Sequence, residues 1–168
     1  MDIKEIIAKL ESSDEFVRWK KQNPKSYLTH VLNIVDGHCF GEWQIGYYNK
    51  KRDKITVFEV GDPIIVDPES EVFKEEKALV KALDKEKIKV DVNQALELAN
   101  KIMKSKYPQI QPLKSVIIIQ NIELGQVWNL TFVSNSFDVL NIKISSEDGK
   151  VLSHDLKPIF QFDSKKKS

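Results

Sequence analysis

Two short runs carry the letters of familiar chemistry, His38-Cys39 and Ser153-His154-Asp155. A cysteine nucleophile needs its histidine base within hydrogen-bond reach. Neighbours on an extended chain point to opposite faces, so His38 cannot serve Cys39 without a special turn. The same reasoning disposes of Ser153-His154-Asp155, because a triad is assembled in space rather than along one strand. Cys39 is expected instead as a small, buried, apolar side chain. His30, His38 and His154 show no ligand-like spacing to one another or to Cys39, so metal and cofactor are both expected to be none. The glycines form neither a phosphate loop nor a dinucleotide fingerprint. Asn129-Leu130-Thr131 fits the glycosylation pattern, but it reads first as part of a strand. Nothing in these residues makes an enzyme, and the expectation is a chain without catalytic residues.

The composition bounds what remains. A chain of 168 residues, 41% hydrophobic and 30% charged, buries a core as one ordinary domain or two very small ones. Lys and Arg total 26 against 25 Asp and Glu, and a net charge of +1 argues against binding nucleic acid through bulk charge. Lys165 to Lys167 form a basic tail without an aromatic platform for bases. No apolar run approaches the roughly 20 residues of a membrane helix. The first residues, Met1-Asp2-Ile3-Lys4-Glu5, lack the layout of a secretory leader, and a lone cysteine suits a reducing compartment. These features together predict a cytoplasmic protein with no membrane and no nucleic-acid partner.

The elements follow from periodicity. Ile3, Ile6, Ile7 and Leu10 share one helical face behind Asp2, and Ser12 starts a second helical run that ends near Gln22, before Pro24. Residues 27–35 read as a strand. Trp43, Ile45 and Tyr47 alternate with Gln44, Gly46 and Tyr48, and Ile55 and Val57 return after a polar loop. Residues 64–66 make a short edge strand. The acidic stretch 68–90 keeps one apolar face, from Phe73 to Leu83, and is expected as a helical connector. Asp91 and Gln94 form a capping box for a helix with Ala95, Ala99 and Met103 on its buried stripe. Beyond Pro108 lie strands around Val116–Ile119, Trp128–Val133, Leu140–Ser145 and Lys150–His154, and residues 158–162 could close the sheet.

The chain therefore says the same thing twice. A gapless shift of 85 places Val31 on Val116, Trp43 on Trp128, Ile45 on Leu130, Tyr47 on Phe132, Ile55 on Leu140 and Val57 on Ile142. In the second half, Ala95, Ala99, Pro108, Val116, Gly125, Trp128, Leu130, Ile142, Ile144 and Asp148-Gly149-x-Val151-Leu152 follow one another over residues 91–153. This half resembles the PepSY domain, with the departure that Asp148 stands directly before Gly149. The resemblance implies a cystatin-like module in which one helix is cradled by a curved antiparallel sheet. It brings no catalytic residues, and its members are suspected of binding or restraining peptidases. The resulting expectation is an α+β fold of two packed PepSY-like repeats. Residues 1–67 form a degenerate first copy, 68–90 the connector, 91–162 the second copy and 163–168 a disordered basic tail.

Trp43 and Trp128 are expected in the core beneath their helices. The other face of the sheet is expected to carry Tyr48 and Phe58 in the first half, with Gln44, Gly46 and Thr56 around them, and Asn129, Thr131, Val133, Asn141 and Lys143 in the second. Such a half-polar, half-aromatic surface suits packing between the repeats or docking of a partner. Two functions follow: a non-catalytic module that binds a protein or peptide partner or regulates one, or a small-molecule binder or enzyme with a pocket between helix and sheet. In the second case Tyr47, His30, Asp36 or Glu42 would line the pocket.

Overall fold

The computed structural model describes residues 2–72, 74 and 78–159. Two helices open the chain, α1 (Ile3–Glu11) and α2 (Asp14–Gln22). The Asp2 carboxylate accepts from the Lys4 amide at 2.8 Å, and Ser13, not Ser12, caps α2 by accepting from the Phe16 amide at 3.2 Å. Seven strands and a 3-10 turn lie between these helices and the end of the connector, or just beyond it. They are β1 (Tyr27–Asp36), β2 (Cys39–Phe40), β3 (Trp43–Asn49), β4 (Lys54–Val60), β5 (Ile64–Val66), β6 (Ser70–Glu71), the turn Lys85–Lys87 and, after α3 (Val92–Lys106), β7 (Pro112–Ile122). β8 (Gly125–Ser134), β9 (Asp138–Ser145) and β10 (Val151–Pro158) complete the described chain. The capping box of α3 closes in both directions, Asp91 to Gln94, each bond 2.9 Å.

All strands join one antiparallel sheet in the order β10-β9-β8-β7-β1-β3-β4-β5, with β2 beside β1 and β6 beside β4. The two wings meet edge to edge along β1 and β7, from His30 opposite Gln120 to Asp36 opposite Lys114. They therefore share a sheet and do not pack face against face, which corrects the expected packing between repeats. α1 lies over β4 and α3 over β8, so both wings carry their helices on the same inner face. There the core is continuous: Ile3, Ile7, Leu10 and Phe16 on the first wing, Trp128, Leu130, Ile142 and Ile144 on the second. Phe16 holds its ring 4.9 Å from Tyr47 and 5.5 Å from Phe58.

Place in the sheet gives each strand of the first wing a counterpart in the second. The gapless shift of 85 holds for β3 and β8, where Trp43, Ile45 and Tyr47 match Trp128, Leu130 and Phe132. It fails on either side. Ile45 pairs with Val31 while Leu130 pairs with Ile117, and Ile45 pairs with Phe58 while Leu130 pairs with Ile142. Val31 thus matches Ile117 rather than Val116, and Phe58 matches Ile142 rather than standing one residue off it. Loops of unequal length account for the difference. A one-residue slip costs nothing in a loop but turns every side chain of a strand to the other face. Leu32 pairs across the joint with Ile118, which holds the same place in the second wing.

The connector departs from expectation. The described residues of 68–90 contain no α-helix; they run as an extended strap whose regular pieces are β6 and the turn Lys85–Lys87. Phe73 and residues 75–77 of that expectation lie outside the described residues, as do the tail 163–168 and most of the closing strand foreseen at 158–162. The strap pairs with β4 through Ser70 and Glu71, then crosses the far end of the sheet. Tyr27 donates its hydroxyl to the Val80 carbonyl at 2.6 Å, and the Leu83 amide donates to the Leu28 carbonyl at 2.9 Å. Asn121 donates to the Ala82 carbonyl at 3.1 Å, and Gln126 exchanges two bonds with the Asp84 backbone at 2.8 and 3.0 Å. Trp128, fully buried, donates its indole N–H to the Val90 carbonyl at 2.8 Å and anchors the end of the strap. A helix satisfies its own backbone; these polar groups are satisfied by the sheet instead. Cys39 also departs from expectation, being exposed in the two-residue strand β2.

Candidate functional site

The described strap residues lie over the outer face of the sheet, on which no described helix packs, and leave beneath them a cleft of about 560 Å3. Its floor comes from three strands: His30 and Leu32 on β1, Ile55 and Val57 on β4, and Ile118 and Gln120 on β7. The strap supplies the facing wall with Val72, Leu79 and Val80, and the rim with Glu71, Lys74 and Lys81. A largely apolar hollow of this size with a few convergent polar groups is the usual form of a small-molecule site.

His30 is the polar centre of the floor, and local geometry explains its seat. A bulge in the pairing between Leu28 and His30 re-aims the chain at this point. The imidazole then lies flat on Gly46 of β3: a Cβ there would stand 2.1 Å from the His30 Cε1. Glycine inside a strand often marks such a close approach. Thr29 Oγ1 donates to the Gly46 carbonyl at 3.1 Å and lies 3.1 Å from His30 Nδ1. With its one proton on that carbonyl, the imidazole tautomer that keeps both contacts is the one with its hydrogen on Nδ1, donating to Thr29. Burial pulls the His30 pKa from 6.5 down to about 4, which keeps the ring neutral near pH 7.

Beside the rim sits a second polar group. Tyr48, buried on the outer face, donates to the Asp53 carboxylate, and Lys74 Nζ lies 2.9 Å from Asp53 Oδ1 and 3.3 Å from the Tyr48 hydroxyl. Tyr27 packs edge-on against Tyr48 at 5.6 Å. Burial, and then the Asp53 bond, hold the Tyr48 hydroxyl above its ordinary pKa.

Of the residues expected on the second face, Asn129, Thr131 and Lys143 do gather there. Asn141, expected there too, links them, donating to Asn129 Oδ1 at 2.7 Å and Thr131 Oγ1 at 2.9 Å while accepting from Lys143 Nζ at 2.6 Å. Val133 continues that face opposite Val139. Tyr48 shares the face but on the other wing, beside the cleft rather than beside this ladder. Phe58 does not belong to it. Because Ile45 pairs with Phe58 and Tyr47 with Thr56, Phe58 turns inward and is fully buried among Phe16, Trp19 and Tyr47. The same register turns Ile55 and Val57 outward into the cleft.

The pocket expected between helix and sheet does not gather its four residues. Tyr47 is buried under the first two helices with its hydroxyl on Glu11 at 3.0 Å, His30 faces the opposite side, and Asp36 and Glu42 are exposed. A smaller hollow of about 300 Å3 lies between α3 and the sheet, where Leu96 and Asn100 face Val35, Ile117 and Phe132. His154 lies far from the other histidines, on β10, with its Nδ1 2.6 Å from the Tyr107 hydroxyl. Among the described residues no group of three or more His, Cys, Asp or Glu could hold a metal. No described helix is long and apolar enough to cross a membrane.

Sequence reasoning passed over His30 and Gly46 as a pair. The available signal was a lone glycine within an alternating strand, but its partner across the ladder depends on register.

No protein-family model matches the chain, and no curated protein matches it in sequence. In structure, a protein from Clostridium difficile 630 described as a "putative lipoprotein" aligns with 86% of this chain and 91% of its own, at 14% identity and a TM-score of 0.55. That match overturns the cytoplasmic expectation, since the fold is carried by a protein described as a lipoprotein. The chain is thus similar to that protein in its α+β fold, helices on one face of a single large antiparallel sheet.

Proposed function

We propose that this protein is a non-catalytic binding module, made of two PepSY-like units in tandem that share one sheet, and that its ligand lies in the outer-face cleft. The matched wings support the tandem reading: each is a helical segment followed by a meander of antiparallel strands, with Leu32 and Ile118 paired across the joint. The single observation that carries the binding reading is the cleft itself, apolar along Leu32, Ile55, Val57 and Ile118 and closed on one side by the strap. Ser70, Glu71 and His30 all line it, yet His30 is bonded to Thr29, and no hydrogen bond among the described residues joins it to Ser70 or Glu71. This arrangement favours holding a ligand over transforming one. It also favours a small apolar molecule over a docked protein, because the hollow is about 560 Å3 and its lining comes from four segments.

The test is uptake of pyrene, a neutral apolar fluorophore, by the purified chain. The expected result is saturable binding that Val57→Trp abolishes by filling the floor, while Asn141→Ala on the other wing leaves it unchanged. Absence of pyrene binding, or binding indifferent to Val57→Trp, sinks the reading.

A further inference from the structure

The floor of the cleft is asymmetric in its hydrogen bonding. Thr29 Oγ1 spends its proton on the Gly46 carbonyl and therefore accepts from Nδ1 of His30. A neutral imidazole protonated at Nδ1 presents a bare lone pair at Nε2. Among the described residues Nε2 has no hydrogen-bond partner, although the ring lines the cleft. Gln120 lies opposite His30 in the β1–β7 register and also lines the cleft, but no bond joins the two side chains. Apart from His30 and Gln120 the floor is Leu32, Ile55, Val57 and Ile118, which can offer a ligand no polar partner.

We propose that the cleft selects an uncharged apolar ligand bearing one hydrogen-bond donor, a hydroxyl or an amide N–H, and that the Nε2 lone pair of His30 is the acceptor that reads it. The proposal rests on reading the cleft as a binding site and adds the class of ligand. A ligand that lacks the donor leaves Nε2 buried and unpaired, which is the stronger source of discrimination. The rim carries both signs, Glu71 with Lys74 and Lys81, so a cation is disfavoured by the floor, where burying a charge among apolar side chains is costly. The flat seat on Gly46 and the bond to Thr29 hold the ring, so the acceptor is fixed before the ligand arrives.

The experiment displaces bound pyrene from the full chain with 1-decanol, decyl methyl ether and decylammonium. Decanol carries the donor; the ether keeps the oxygen and loses the donor; the ammonium adds charge. The expected result is decanol displacing pyrene at about fivefold to tenfold lower concentration than the ether, the worth of one neutral hydrogen bond. In His30→Phe the gap closes, whereas Gln120→Leu preserves it. Equal potency of alcohol and ether in the unaltered chain, or a gap that survives His30→Phe, overturns the proposal while leaving the binding reading intact. Failure of pyrene to bind at all overturns that reading and this one together. Should His30→Phe not fold, nitrogen-15 NMR of the imidazole in the unaltered chain decides. A proton on Nδ1 with an Nε2 signal that moves on adding decanol supports the proposal, and a proton on Nε2 overturns it.

Discussion

On the outer face of the sheet the first wing places His30, Gly46, Tyr48 and Val57 where the second places Val116, Thr131, Val133 and Asn141. One wing has a ring seated on a glycine beneath a strap; the other has a ladder of amide, hydroxyl and ammonium groups that satisfy one another. Their inner faces are far more alike, an aromatic and aliphatic core under helices. The inner face must be filled wherever a helix packs on a sheet, so its chemistry is held by burial. The outer face is free to differ, and the strap runs over the first wing and the adjoining strand β7. A site is thus made where the strap covers the first wing and the joint, and the polar ladder shows what the outer face looks like beyond the strap.

The comparison can be broken hardest at the end of the strap. Trp128→Ala should cost about 3–5 kcal/mol, because it opens a cavity under α3 and leaves the Val90 carbonyl without its donor. Chemical denaturation measures this. Trp128→Phe keeps most of the volume and should cost roughly 1–3 kcal/mol, reporting the lost bond.

Next in size is the pH response of His30. Its pKa is pulled from 6.5 to about 4, so folding favours the neutral ring. The corresponding stability is fully present above pH 6.5 and drains away as pH falls towards 4, by roughly 3 kcal/mol in all. His30→Phe should flatten the stability profile in that window. An unchanged profile would show that the ring is not buried neutral.

Exchange of the counterparts Gly46 and Thr131 sharpens the contrast between wings. Gly46→Thr drives a side chain into the His30 ring and should cost about 1–3 kcal/mol as well as pyrene binding. Thr131→Gly removes one member of the ladder and a good strand former, and should cost about 1 kcal/mol with no effect on pyrene. The smallest effect belongs to Asn141→Ala, expected near 1 kcal/mol in a thermal melt, since its partners are half-buried and water can replace it.

Much of this fold was legible in the residues. Both helical starts, the capping box at Asp91 and the alternation led by each tryptophan are local matters, and the structure keeps them with Ser13 in place of Ser12. Two kinds of inference failed. The apolar spacing from Phe73 to Leu83 read as a helix, although the described strap residues use that spacing to bridge sheet and solvent. Phe58 was put on the wrong face because a loop longer by one residue changes which parity of β4 meets β3. The candidate site suffered most: of the residues expected on one surface, Asn129, Thr131, Asn141 and Lys143 form the ladder, Tyr48 flanks the cleft and Gly46 seats the ring, but His30 was expected in a pocket on the other side of the sheet.

Sequence alone determined the α+β character and the two tryptophan-led meanders, because those depend on neighbours within a few residues. Only the tertiary structure decided that the wings merge along β1 and β7, that the connector crosses the outer face as a strap, and that His30 lies on Gly46. Each of those depends on register and on a crossing between distant segments. The free energy that sets them comes from burial and backbone pairing across the sheet, not from the propensity of any one stretch.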